Sequence, residues 1–117
     1  MPLPRTTSCS ALLINGTVGA AKTSVAEMVG DLLTEAGVPN AVIDLDWLRQ
    51  SWPSPTGDRF NLAMTLRNLR SVASNYRDAG VVRIVLAGVI ETRVDRHRHQ
   101  DALEVPLSVC RLRGTCR

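Results

Sequence analysis

Asn15-Gly16-Thr17-Val18-Gly19-Ala20-Ala21-Lys22-Thr23 follows the apolar run Ala11-Leu12-Leu13-Ile14 and opens a stretch with helical periodicity. The 117-residue chain has fourteen basic residues, and Lys22 is its single lysine. With arginine as the default cation, a lone lysine here marks a need for a compact ammonium on a flexible stem. The stretch reads as a phosphate-binding loop, G-x-x-x-x-G-K-[ST], with Ala21 at the place of the last glycine. In such a loop the main-chain N–H groups, here those of Gly16, Thr17, Val18, Gly19, Ala20 and Ala21, point inward at phosphate oxygens. The lysine reaches the β- and γ-phosphates, and the neighbouring hydroxyl, Thr23, holds Mg²⁺.

Two other readings compete. Gly16-x-x-Gly19-x-Ala21 resembles a dinucleotide fingerprint with Asp44 on the ribose. Its glycine spacing is wrong, Asp44 falls 25 residues beyond Gly19, and Lys22-Thr23 would have no role. The other is a strand-to-helix turn whose lysine is incidental. Position after a strand and before a helix is what the phosphate motif requires. Ala21 is the defect: if that position needs positive φ, alanine costs ~1–2 kcal/mol, and its methyl crowds the phosphate approach. On that argument Ala21→Gly tightens nucleotide binding.

From Lys22 onward Val25, Met28, Val29, Leu32, Leu33 and Ala36 form one apolar stripe. Gly37 and Pro39 then stop the helix. Ala41-Val42-Ile43 with its flanks is a second buried strand, ending at Asp44-Leu45-Asp46. Residues 51–58 are a loop by composition. A second helix places Leu62, Leu66, Leu69, Ala73 and Tyr76 on one face and ends at Gly80. Val81 to Gly88 is the clearest strand, Thr92 to Leu103 a polar helix, and Pro106 to Leu112 a fourth strand. Strands alternating with crossover helices predict a three-layer α/β/α fold with a mostly parallel sheet and right-handed connections.

Alternation puts residues i and i+2 of a strand on one side, so Asp44 and Asp46 are expected to converge at the strand's C-terminal end. There one carboxylate can hold a metal-bound water and the other accept a proton. The competing role for Asp46 is to cap the helix that begins at Trp47. His97 and His99 point roughly 200° apart on a helix, and Cys110 and Cys116 match no common zinc spacing. They read as a solvated histidine pair and a core cysteine.

Apolar content of 44% and charged content of 21% suit a single globular domain. Three cysteines without CxxC spacing argue for a reducing, cytoplasmic setting and against a disulfide frame. No apolar stretch approaches the ~20 residues of a membrane span. The net charge of +3 sits wholly in residues 83–117, with seven basic and four acidic side chains; residues 1–82 carry seven of each. A solvated arginine-rich surface is the plain account of this excess, and a cationic rim for a polyanion such as a nucleotide triphosphate is the sharper one. Four aromatics with no basic interleaving do not suit base stacking on single-stranded nucleic acid.

With loop, acids and element order in place, the chain resembles the P-loop small-molecule kinases, closest in flavour to adenylylsulfate kinase, with shikimate and gluconate kinases as cousins. The resemblance runs over roughly residues 10–113 and is specific only in the loop. Val42-Ile43-Asp44-Leu45-Asp46-Trp47-Leu48-Arg49 is similar to the segment where those enzymes grip the acceptor. Glu91-Thr92-Arg93-Val94-Asp95-Arg96 stands in the place of their arginine-bearing segment after strand three. The resemblance implies ATP and Mg²⁺ as cofactors, bound by Gly16, Gly19, Lys22 and Thr23. It implies a metal or acceptor role for Asp44 or Asp46, an anionic small-molecule acceptor held by Arg49, Arg59 and Arg93, and a possible homodimer. The expected architecture is one nucleotide-binding domain over 1–117, with 1–9 a disordered extension. It lacks the arginine-bearing lid and fifth strand, for which Arg111, Arg113 and Arg117 substitute only in part. The implied alternative is a non-catalytic nucleotide-binding module.

Overall fold

Residues 11–14 are apolar on both sides because both faces of their strand are covered. A computed structural model describes residues 8–16, 19–58, 60–112 and 115–116. In it, β1 (Ser10–Asn15) lies between β3 (Arg83–Gly88) and β4 (Leu107–Arg111), parallel to both. β2 (Asn40–Asp44) pairs with the far side of β3, giving the order β2-β3-β1-β4-β5. The last strand, β5 (Thr115–Cys116), has two residues and runs antiparallel. The parallel part is therefore four strands, and among the described residues no lid or fifth parallel strand follows.

Helix α1 (Gly19–Glu35) covers one face of the sheet; α2 (Leu62–Asp78) and α3 (Arg93–Leu103) cover the other. Ala26 of α1 packs with Ile14, Val85, Ala87 and Cys110. Leu69 and Ala73 of α2, with Ala102 and Leu103 of α3, pack on Leu13, Ile84 and Leu86. Each fully buried side chain of this size contributes about 1.5–3 kcal/mol, so both faces are needed. The three-layer reading holds.

The stripe on α1 differs from expectation. Met28 and Leu32 are 62% and 63% exposed. The line that meets the sheet is Lys22, Ala26 and Gly30, flanked by Val25, Val29 and Leu33. Small residues there let the helix approach: a Cβ on Gly30 would stand 2.6 Å from Val42 Cγ2. Hydropathy favours large apolar residues and so misplaces the centre of such a stripe. On α2 the buried line is Thr65, Leu69 and Ala73, with Tyr76 exposed rather than on the core face.

Helix ends follow their chemistry. After α1, Gly37 adopts φ +75°, Val38 N–H donates to Leu33 O and Gly37 N–H to Thr34 O. α2 ends in the same pattern at Gly80. Thr92 caps α3, its Oγ1 accepting from Asp95 N–H at 3.0 Å. At the other end of α3, Arg77 of α2 donates to Leu103 O and pairs with Glu104.

Three expectations are corrected. His99 is only 4% exposed, and its Nδ1 lies 2.7 Å from Asp95 O, so His97 and His99 are not a solvated pair. Cys110, a core cysteine as expected, is disulfide-bonded, and the antiparallel register sets it opposite Cys116. Cysteine counting missed this because the antiparallel pairing, not spacing in sequence, brings the positions together. Ser8 and Cys9, assigned to the extension, are engaged: Arg83 donates to Ser8 O, and Cys9 packs partly buried against the core. Burial there raises the Cys9 thiol pKa despite Arg77 and Arg83 nearby. Among the described residues no helix is long and apolar enough to cross a membrane.

Gly88 ends β3 directly beneath the turn that follows β2. A Cβ there would meet Leu45 Cδ1 at 2.6 Å and Leu45 Cβ at 3.0 Å. Gly88→Ala is expected to destabilise the fold by about 1–3 kcal/mol, read as a lower urea midpoint. An unchanged midpoint shows that Leu45 moves aside freely.

Candidate functional site

Asn15, Asp44, Gly88 and Arg111 are the last residues of the four parallel strands, so all four point the following chain to one edge of the sheet. β1 and β3 are neighbours, yet the chain leaves β1 for α1 on one face and β3 for α3 on the other. That divergence opens the crevice in which open α/β sheets bind ligands.

Lys22 stands on the first turns of α1 beside this crevice. It is 4% exposed, and among the described residues its ammonium makes no hydrogen bond or ion pair. Two costs coincide at this place. A cation at a helix N-terminus opposes the helix dipole, and burial of its stem costs the lysine rotamer freedom. The leading N–H groups of α1 also lack helical acceptors. Positive field, a cation and free donors at one point are complementary to an anion.

Ala21 lies within α1, and the only described non-glycine residues with positive φ are Asn61 and Glu104. The conformational half of the argument against Ala21 therefore falls away. Only the bulk of its methyl remains. Gly16 is close-packed: an added Cβ would stand 3.3 Å from Leu112 Cβ and 3.8 Å from Lys22 Cγ. Thr17 and Val18, in the middle of the loop, lie outside the described residues, as does Arg59.

Thr23 and Asp44 come together. Thr23 Oγ1 donates to Asp44 Oδ2 at 3.0 Å, while Asp44 Oδ1 accepts from Asp46 N–H at 2.9 Å. Strand β2 stops at Asp44, and Leu45–Arg49 is a 3₁₀ helix that Asp44 caps. Alternation thus does not extend to Asp46, and the capping role expected of Asp46 belongs to Asp44. Asp46 instead pairs with Arg49 at 3.2 Å on the surface. The main chain of this segment is fixed from α2: Asn61 Nδ2 donates to Arg49 O and Asn68 Nδ2 to Leu48 O.

Two clefts flank the turn between β3 and α3. One of about 560 Å³ is lined by Asp46, Arg49, Phe60, Thr65 and His99 among others. The other, about 520 Å³, is lined by Asn15, Arg93, Arg96, Val109 and Arg111. Glu91 and Thr92 line both. Arg49 and Arg93, expected to act together on one acceptor, therefore face different clefts. Asn15 is the residue that sequence reasoning passed over. It is 6% exposed, and its side-chain amide bonds both main-chain groups of Ile90. The signal was present: an amide closing an otherwise apolar strand must find a donor and an acceptor.

No protein-family model and no curated protein matches the chain. Solved structures do. A mutant of the APS kinase CysC of Mycobacterium tuberculosis gives a TM-score of 0.57 at 21% identity, over 95% of this chain and 80% of that one. The same enzyme in complex with AMPPNP and APS gives 0.58 at 22%, over 90% and 62%. A hexameric APS kinase from Thiobacillus denitrificans gives 0.65 at 19%, over 92% and 22%. A gluconokinase from Sinorhizobium meliloti 1021 gives 0.53 at 20%, over 95% and 61%. The chain thus spans less than two thirds of the last three. These likenesses show the fold alone, a three-layer α/β fold like that of the APS kinases and the gluconokinase.

Because the dipole of α1 opposes its charge, Lys22 is expected to detract from the stability of the unliganded fold. Lys22→Met should raise unliganded stability by ~0.3–1 kcal/mol in urea unfolding and abolish binding of a triphosphate by calorimetry. A less stable variant would show that the ammonium is held by the protein itself.

Proposed function

We propose that the chain binds ATP at residues 15–23 and transfers its γ-phosphoryl group to a small-molecule acceptor in the clefts beside the β3–α3 turn. The observation that carries this reading is Lys22, a lysine 4% exposed as a residue, at the amino end of a helix, with no partner among the described residues. The fold likeness to small-molecule kinases supports it, and the M. tuberculosis enzyme is a complex with AMPPNP.

Lys22 would neutralise charge on the β- and γ-phosphates, and the leading N–H groups of α1 would hold their oxygens. Thr23 and Asp44 fit a Mg²⁺ ion: a hydroxyl and a carboxylate, both hard oxygen donors, already meet at 3.0 Å. Held there by Thr23 and Asp44, such an ion would supply positive charge against the charge that develops on the transferring phosphoryl group. Asp44, fixed by Asp46 N–H, keeps Thr23 aimed at that place. Asp46 would accept the acceptor's hydroxyl proton, with Arg49 and Arg93 binding anionic groups of the acceptor bidentately. Arg59 is assigned the same role by resemblance alone. A homodimer belongs to this reading, supported only by the hexameric assembly of the Thiobacillus enzyme. So does a cytoplasmic setting, as suits an ATP-dependent reaction, although the disulfide at Cys110 pulls against it.

A second reading, a nucleotide-binding module without turnover, is favoured by the separation of Arg49 and Arg93 into different clefts. No described arginine cluster converges with Lys22 on one point, as efficient phosphoryl transfer requires.

Turnover decides between the two. ATP with Mg²⁺ at 100-fold over its dissociation constant should add ~2.7 kcal/mol of stability in the unmodified chain and none in Lys22→Ala. Phosphoryl transfer to sugars, sugar acids or nucleotide-like acceptors above the Lys22→Ala background establishes the kinase. Stabilisation without turnover establishes the module, and no stabilisation sinks both. Asp44→Asn should weaken Mg²⁺-dependent nucleotide binding by roughly 10-fold, about 1.4 kcal/mol, and an undiminished Mg²⁺ response would remove Asp44 from the metal site.

A further inference from the structure

We propose that Asn15 is a positioning residue: its side-chain amide ties the β3–α3 turn to the start of the phosphate loop, so that the turn's placement follows the state of the loop. This rests on the reading of residues 15–23 as a phosphate site. The geometry itself does not.

The β1–β3 ladder ends where Asn15 faces Gly88. Beyond that pair the main chains diverge toward opposite faces, and nothing in a regular ladder would hold the turn. Asn15 extends the pairing with its side chain. Nδ2 donates to Ile90 O at 2.7 Å, and Oδ1 accepts from Ile90 N–H at 3.2 Å. A planar amide offers donor and acceptor on one short, uncharged group. Aspartate would set a second acceptor against Ile90 O, and leucine would leave both Ile90 groups unpaired. Asn15 and Ile90 are both buried, so water does not compete for these bonds.

The same residue touches the loop by two further routes. Its C=O accepts from Leu112 N–H at 2.9 Å at the end of β4. Its peptide bond leads into Gly16, which lies against Leu112 and the stem of Lys22. A shift of the loop at Gly16 therefore moves the backbone to which the amide is attached. On the other side of the amide, Ile90 is followed by Glu91 and Thr92, the two residues that line both clefts. One amide thus sets the distance between a phosphate held near Lys22 and the wall that divides the acceptor clefts.

Hydrogen exchange tests this in three arms. In the unmodified protein without nucleotide, Ile90 N–H should exchange at least tenfold more slowly than the N–H of its exposed neighbour Glu91. Equal rates overturn the clip and need no variant to show it. In Asn15→Ala and Asn15→Asp, checked for folding by circular dichroism, Ile90 should lose most of that protection in the alanine variant and less in the aspartate variant, which keeps the acceptor. Unchanged protection in both overturns the proposal. The third arm adds Mg²⁺ and AMPPNP. Binding should deepen Ile90 protection in the unmodified protein. In Asn15→Ala, with AMPPNP bound to saturation by calorimetry, there should be no response at Ile90. An equal response in the variant overturns the coupling. Failure of the unmodified protein to bind AMPPNP overturns the phosphate-site reading and the coupling that rests on it, while the first two arms still decide whether the clip exists.

Discussion

A cation at the wrong end of a helix organises this molecule. Lys22 lies where the dipole of α1 repels it, its side chain mostly buried and without a partner among the described residues. Stability alone would place Leu or Met there, since the position continues the line of Ala26 and Gly30 that meets the sheet. The rest of the fold makes that position possible. β1 delivers the chain to the crevice, the loop turns it, and α1 holds the lysine stem against the core. The cost is local and the scaffold that bears it extends over three layers.

Much of this was legible. Lys22-Thr23 after an apolar run located the loop, and alternating strands and helices gave the parallel sheet with helices on both faces. What misled was geometry that hydropathy does not encode. Met28 and Leu32 looked like the core stripe of α1, while the residues that touch the sheet are small. Asp44 and Asp46 looked paired because a strand was extended two residues too far; the 3₁₀ helix begins at Leu45 and rotates Asp46 away. Short carboxylate caps end strands as well as start helices, and a single sequence does not say which carboxylate caps. The disulfide at Cys110 was hidden because it depends on a two-residue strand too short to carry any periodicity.

Polar side chains at the sheet edge act as joints. Asp44 joins α1 to the 3₁₀ helix through Thr23 and Asp46 N–H. Asn61 and Asn68 join that segment to α2 by holding Arg49 O and Leu48 O. Asn15 joins β1 to the turn before α3. In each case a short amide or carboxylate completes hydrogen bonds where regular structure stops, which is the part of a fold that main-chain ladders cannot supply. Such joints are directional, unlike apolar packing, and so fix loop positions that burial alone would leave loose.

The joints also explain why glycine appears where it does around the site. Gly88 admits Leu45 against the end of β3, and Gly16 admits Leu112 against the start of the loop. These two leucines bring the 3₁₀ helix and the end of β4 within reach of the strand ends from opposite sides. A side chain at either glycine would have to push its leucine away. It would then lengthen the spans that Asp44 and Asn15 bridge with bonds of about 3 Å. Hydrogen bonds weaken steeply with distance and misalignment, so the polar joints depend on these close apolar contacts being made first. Packing sets the spacing, the joints set direction, and Lys22 is held in the arrangement that results.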